Sequence, residues 1–210
     1  MRGLVLKDLL GMKSFVKGTL SAILIMSVCF YFSIGQEGII AAVAVMCATM
    51  IVTTYTLDER YGWQKYALAM PITRRQYVGA KYLTNLIFCG TGVAIGGLIA
   101  LLLSIIKHTA DLAALGAVAA VGFAVSLLFG AFVIPLLTFF GAEKARMIMM
   151  GVIAVPTVVT YLIVDHVDIS AIALTKTQEN LLIGGCIGGF LLLMLLSYQI
   201  SVRLFEKKEL

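Results

Sequence analysis

Residues 112–142 read LAALGAVAAVGFAVSLLFGAFVIPLLTFFGA, about 31 consecutive positions without an Asp, Glu, Lys or Arg. A helix rises 1.5 Å per residue, so about 20 apolar residues already cross the hydrocarbon of a bilayer. This stretch is longer than that and must tilt, break or project. Pro135 is the expected place for a kink, because proline removes a backbone donor and crowds the preceding turn. Uncharged stretches at about 18–36, 38–57, 82–106, 147–164 and 180–202 repeat the pattern. Charged side chains cost roughly 2.5–3.5 kcal/mol each at mid-membrane, and here they gather in the joints. The reading is an all-α membrane protein with six transmembrane helices.

Composition agrees. Of 210 residues, 61% are hydrophobic and 13% charged, whereas about a quarter of a soluble domain is charged. The connections are too short for a separate globular domain, so the chain divides into an interfacial segment, 1–17, and a transmembrane domain, 18–210. The first apolar stretch lacks a small-residue cleavage site and runs directly into a second, which marks it as retained. Cys29, Cys47, Cys89 and Cys186 lie inside apolar stretches without metal-ligand spacing. The fifth stretch, with Gly151, Pro156, Thr157 and Thr160, is the weakest span. It is kept because dropping it would put Arg203, Lys207 and Lys208 outside.

The positive-inside rule sets the orientation. With both termini cytoplasmic, all but Lys107 and Lys176 of the 16 Lys and Arg lie inside, while Glu37, Asp111, Asp165, Asp168 and Glu179 lie outside. Membrane topology therefore accounts for the net charge of +5, and no nucleic-acid partner is implied. The outer link at 165–179 includes an apolar patch, Ile169–Leu174. Inside, Gly141–Arg146 forms a tight turn and Asp58–Lys81 is the largest soluble piece.

Several chemistries are missing. No glycine loop followed by Lys and Ser or Thr is present to bind ATP. His108 and His166 lack helical-spaced carboxylate or Cys partners, and no charge sits inside a span as a proton relay would require. Asp165, His166 and Asp168 read as a solvated loop cap. The chain is not catalytic alone, and no metal or cofactor is expected on it.

Two segments are more informative. Residues 1–17 place Leu4, Val5, Leu9, Met12, Phe15 and Val16 on one helical side and Arg2, Lys13 and Lys17 on the other, with Lys7 at the edge. Such a helix lies in the inner headgroup layer. It acts either as an anchor or as a lever joining a cytoplasmic partner to the bundle. Asp8 falls among its apolar residues and needs a partner or water.

The inner connection begins with Asp58 and Glu59, which favour a helix N-terminus by the dipole argument. Trp63, Tyr66, Ala67 and Met70 recur at i, i+3, i+4 and i+7 as one apolar-aromatic face. Pro71 stops that helix, and Thr73 with Gln76 fits a capping box that starts the next. The face sits either at the lipid interface or in the groove of a soluble partner; periodicity alone leaves both open.

Leu4-Val5-Leu6-Lys7-Asp8-Leu9, together with Asp58-Glu59, Trp63, Tyr66, Pro71, Arg74, Val78 and Lys81-Tyr82, resembles the small bacterial type-2 ABC exporter permeases (ABC-2 transmembrane subunits), over essentially the whole chain. The resemblance implies a multi-pass permease of the bacterial cell membrane. It would pair with a second permease copy, identical or related, and with separate ABC ATPase subunits that carry ATP and Mg. Residues 58–73 would then be the coupling helix, with Asp58, Glu59, Trp63, Tyr66, Pro71 and Arg74 facing the ATPase. Lys7 and Asp8 would belong to the interfacial helix. The cargo class it suggests is amphipathic or hydrophobic: a small peptide, an antimicrobial or a lipid-like molecule. The chain departs from larger relatives in having no big outer domain.

Gly92 and Gly96, and Gly184, Gly185, Gly188 and Gly189, have the small-residue spacing that lets helices approach closely, within one subunit or across a dimer. Thr49, Thr53, Thr54, Tyr55, Ser126 and Thr138 either line a path or bond their own backbone. A different class of function is a non-transporting scaffold or sensor that recruits a soluble protein through residues 58–81. A third is an autonomous carrier or channel, which would move substrate without nucleotide.

Overall fold

A computed structural model describes residues 2–33, 36–70, 72–106, 112–164 and 192–205; side chains 30–37, 65, 68, 113–114 and 150–164 lie outside that description. Among the described residues every regular element is helical and no strand occurs. In order these are α1 (Arg2–Gly11), a 3-10 turn (Met12–Ser14), α2 (Val16–Ser33), α3 (Gln36–Ala48), α4 (Met50–Arg60), α5 (Trp63–Ala69), α6 (Arg74–Ile106), α7 (Leu112–Val164) and α8 (Leu192–Phe205).

Three stretches are long and apolar enough to span a bilayer: Gly38–Arg60, Arg74–Ile106 and Leu115–Met149. A fourth is reached if Arg2–Ser14 and Val16–Cys29, which meet at 70°, count together. The bend corrects the single helix expected over 1–17. The 3-10 turn breaks the helical register after Gly11, so Phe15 and Val16 are exposed while Leu4, Val5 and Met12 are buried. Leu6 and Leu10 face outward, so α1 carries apolar residues on both sides. One side packs on Ala80, Ile72 and Ile87.

The middle of the bundle is built on α3, which packs against α6 and α7. Gly92 and Gly96 make this possible. A Cβ at Gly92 would stand 2.8 Å from Cys47 Cβ and 2.9 Å from Ala44 Cα, and one at Gly96 would stand 3.0 Å from Ile40 Cα. The pair therefore brings α6 against α3 of the same chain. Gly122 similarly lies against Ala41 of α3, at 3.1 Å for its would-be Cβ. Gly184, Gly185, Gly188 and Gly189 fall outside the described residues, as do Pro71 and the outer link at 165–179.

The break in α7 falls at Gly141, not at Pro135. Gly141 has φ 79° and ψ 170° and is the single non-helical position along α7. Pro135 stays helical because its cost is met elsewhere. Proline cannot donate to the carbonyl four residues back, which is Ala131, and the Ser197 hydroxyl of α8 donates to that carbonyl instead. Ser197 also bonds the Tyr82 hydroxyl of α6 at 2.6 Å, and Tyr82 reaches Ser201 at 3.0 Å.

Most hydroxyls considered as path-lining turn inward on their own helices. Thr49 donates to Met46 O, Thr54 to Ile51 O, Ser126 to Phe123 O and Thr138 to Ile134 O. Tyr55 meets Thr138 at 3.1 Å across α4 and α7.

Candidate functional site

Helix α4 continues past the expected end of the span at 57, to Arg60. It stops because Gly62 takes a left-handed conformation, φ 62°, which costs little without a Cβ. The Tyr61 N–H donates to Leu57 O and the Gly62 N–H to Glu59 O, closing the helix. The chain re-enters at Trp63 as α5 and leaves it at Met70, whose extended backbone (φ −85°, ψ 160°) is what a residue before proline adopts. The expected capping box follows: the Thr73 N–H donates to Gln76 Oε1 and the Gln76 N–H to Thr73 Oγ1, both at 3.2 Å. α6 starts from there.

Asp58 and Glu59 thus lie in the last turn of α4, where the helix dipole disfavours acids. This reverses the expected helix-start role, and each acid is compensated from elsewhere. The Glu59 carboxylate accepts the Ala142 N–H at 2.8 Å, capping the helix that resumes after Gly141. A Cβ at Gly141 would stand 2.7 Å from Glu59 Oε1, so a side chain there would strain φ and push the Glu59 carboxylate aside. Glu59 does serve a helix N-terminus, but one supplied by another part of the chain.

Asp58 belongs to a buried charge cluster. Lys81 of α6 contacts Asp58 Oδ2 at 2.7 Å and Asp8 Oδ2 of α1 at 2.9 Å. Lys7 contacts Asp8 Oδ1 at 2.9 Å and also bonds Asp58 Oδ1. The Tyr77 hydroxyl donates to Asp58 Oδ2 at 2.8 Å, and Lys81 donates to Thr54 at 3.3 Å. The side chains of Asp8, Asp58 and Lys81 are 3%, 4% and 2% exposed, against 28% for Lys7. Both lysines lie over aromatic rings, Lys7 at 4.7 Å from the Trp63 centroid and Lys81 at 5.0 Å from Tyr55. Two cations and two anions in alternation neutralise one another, and every carboxylate is hydrogen-bonded, which a buried charge needs. The cluster ties α1, α4 and α6 together at one end of the bundle.

The apolar-aromatic face of α5 divides in two. Ala67 is buried in a cluster with Tyr77, Val78, Val202 and Phe205, and Trp63 packs against it. Tyr66 is 64% exposed and Met70 45%, with Tyr61 beside the left-handed turn at 69%. Arg74 donates to the Phe205 carbonyl at 2.8 Å, and Phe205 stacks on Tyr77 at 5.0 Å between centroids. α5 therefore stands on a base made from α6 and α8, and together with its flanking residues it presents two tyrosines and a methionine outward.

The structure brings Lys7, Asp8, Asp58 and Trp63 into one constellation, sends Glu59 to α7 and Arg74 to α8, and leaves Tyr66 facing out. Of the other two members, Lys81 was named from sequence only among the residues that carry the resemblance, without a partner, and Tyr77 was not singled out. The available signal was Asp8: an acid on an inward helical face demands a cation, and Lys81 opens the next apolar run. Among the described residues no group of three or more His, Cys, Asp and Glu could hold a metal.

No curated protein and no solved structure matches the chain. A family model described as ABC-2 family transporter protein matches residues 3–206, almost the full length. That span takes in the charge cluster, the exposed elbow at α5 and the apolar helices alike, and the chain belongs to the ABC-2 transporter family as a membrane component.

Proposed function

We propose that this chain is a six-span permease subunit of an ABC exporter in the bacterial cell membrane, with both termini cytoplasmic. It works with a second permease copy and with separate ATP-binding subunits that supply ATP and Mg. The observation that carries this reading is the family match over residues 3–206, joined to the elbow Tyr61–Met70. Tyr66 is exposed there on α5, with Tyr61 and Met70 exposed at its two flanks, and the opposite side of α5 is packed against α6 and α8. A mobile surface tyrosine would absorb a partner's movement; one on a braced helix passes it on. Asp58, Trp63 and Arg74 then brace the elbow, Glu59 links it to α7, and Tyr66 makes contact. Lys7 and Asp8 connect the interfacial helix to the same block. An uncharged bundle suits an amphipathic or hydrophobic cargo, such as a small peptide, an antimicrobial or a lipid-like molecule.

The test is reconstitution. The purified chain alone should hydrolyse no ATP, and hydrolysis should appear when the ATP-binding subunit identified by co-purification is added. Replacing Tyr66 and Pro71 together should lower binding of that subunit while the permease stays folded. Hydrolysis by the chain alone, or substrate movement without nucleotide, would contradict the reading. A co-purified protein without ATP-binding motifs would favour a recruiting scaffold.

A further inference from the structure

Beside the charge cluster, α1, the 3-10 turn, α4 and α5 enclose an open cleft of about 430 Å³, within the size range of small-molecule sites. Its walls include Lys7, Ser14, Phe15, Leu57, Arg60 and Trp63, with Asp8 and Asp58 at the Lys7 side. The two carboxylates are engaged by Lys7, Lys81 and Tyr77, which leaves the Arg60 charge as the excess. Hydrogen-bond donors are also in excess. The buried Trp63 indole N–H meets no acceptor among the described residues. Lys7 has three N–H donors and two carboxylate partners. A buried polar hydrogen without an acceptor is uncommon in native proteins, and the Trp63 N–H, with Lys7 and the exposed Arg60 on the same cleft, calls for an oxygen-rich anion.

We infer that this cleft binds the phosphate of an anionic phospholipid from the adjoining leaflet. A soluble anion would not explain the apolar walls, whereas a lipid does. Phe15 lines the cleft, and directly after it Val16, Leu20 and Leu24 form an exposed apolar stripe at i, i+4 and i+8 on α2. Acyl chains lying along that stripe place their headgroup at the 70° bend between the N-terminal segment and α2. Basic pockets at the cytoplasmic ends of membrane helices bind anionic headgroups by this combination of charge and depth. The assignment uses the cytoplasmic placement of this end of the bundle but needs no ATP-binding subunit. Its failure therefore leaves the transporter reading standing.

Trp63 is the one tryptophan of the chain, so its fluorescence reports on the cleft directly. The full-length protein is placed in phosphatidylcholine nanodiscs, and phosphatidylglycerol with brominated acyl chains is added at increasing mole fraction. Quenching of Trp63 should saturate and exceed that from brominated phosphatidylcholine at equal mole fraction. Arg60→Gln should raise the half-saturating fraction about fivefold, the loss of one interfacial cation. Arg203→Gln, which removes an exposed charge on α8, should leave it unchanged. Equal quenching by the two lipids, or an unaltered curve for Arg60→Gln, would overturn the proposal. Relief of quenching by millimolar inorganic phosphate would overturn the lipid assignment in favour of a soluble anion.

Discussion

The N-terminal end and the middle of α6 are held by opposite means. Around Gly92 and Gly96 the helix meets α3 backbone to backbone, in a stretch of α6 that carries no charged residue. Around Tyr77 and Lys81 it meets α1 and α4 through ion pairs, hydroxyl bonds and aromatic rings. Lipid tails are as apolar as leucine, so burial gives little association energy in the bilayer and close shape must supply it. At the end, near water, charges can be desolvated in matched sets. The contact by shape tolerates no added volume; the contact by charge tolerates no lost partner.

The first prediction attacks the charged end. Lys81→Met leaves Asp8 and Asp58 with Lys7 alone, and breaking a buried pair costs about 3–5 kcal/mol. Unfolding in lipid–detergent mixtures should show it. Lys81→Met combined with Asp8→Leu restores neutrality and should regain more than half of that loss. If the double variant is weaker than both singles, the alternating cluster is not the source of the stability. The same assay, applied to the shape-matched middle, gives the second prediction. Gly92→Ala pushes a methyl into Cys47 and the backbone of Ala44 and should cost about 1–3 kcal/mol by over-packing. Gly90→Ala, with open space around its Cβ position, should cost nothing.

A third variant lies where the two regimes meet. Gly141→Ala forces a side chain into a left-handed conformation and toward Glu59, for about 1–2 kcal/mol. Glu59→Gln keeps an acceptor for the Ala142 N–H and should cost less than Glu59→Ala, whose loss of a cap is about 1 kcal/mol. The smallest effect is expected at Tyr66. Tyr66→Ala is a change at an exposed site and should stay within about 0.5 kcal/mol of the parent, while weakening partner binding.

Much of this was legible in the sequence, for identifiable reasons. Charge exclusion from long apolar runs marked the helices now seen as α3–α4, α6 and α7, because the cost of a charge in lipid leaves few alternatives. Thr73 and Gln76 announced their capping box, and Pro71 marked the end of α5, since both act through neighbours in the chain. Pairings between distant segments were not legible. Pro135 looked like a kink because the hydroxyl that satisfies Ala131 comes from Ser197, far along the chain. Asp58 and Glu59 looked like a helix start because acids at a helix end are explained only by Lys7, Lys81 and the Ala142 N–H. The helical wheel over 1–17 failed at Phe15 and Val16, past the 3-10 turn at Met12–Ser14 that changes the angle per residue.

The central claim is that the braced elbow at α5 is where an ATP-binding subunit docks, and cross-linking tests it most directly. With a photoreactive amino acid at Tyr66 and again at Leu83, an exposed position within the apolar part of α6, membranes are irradiated and the products identified by mass. The account predicts a product with an ATP-binding protein from position 66, absent from position 83. Products with lipid alone at position 66, in membranes where that ATP-binding protein co-purifies with the permease, would contradict it.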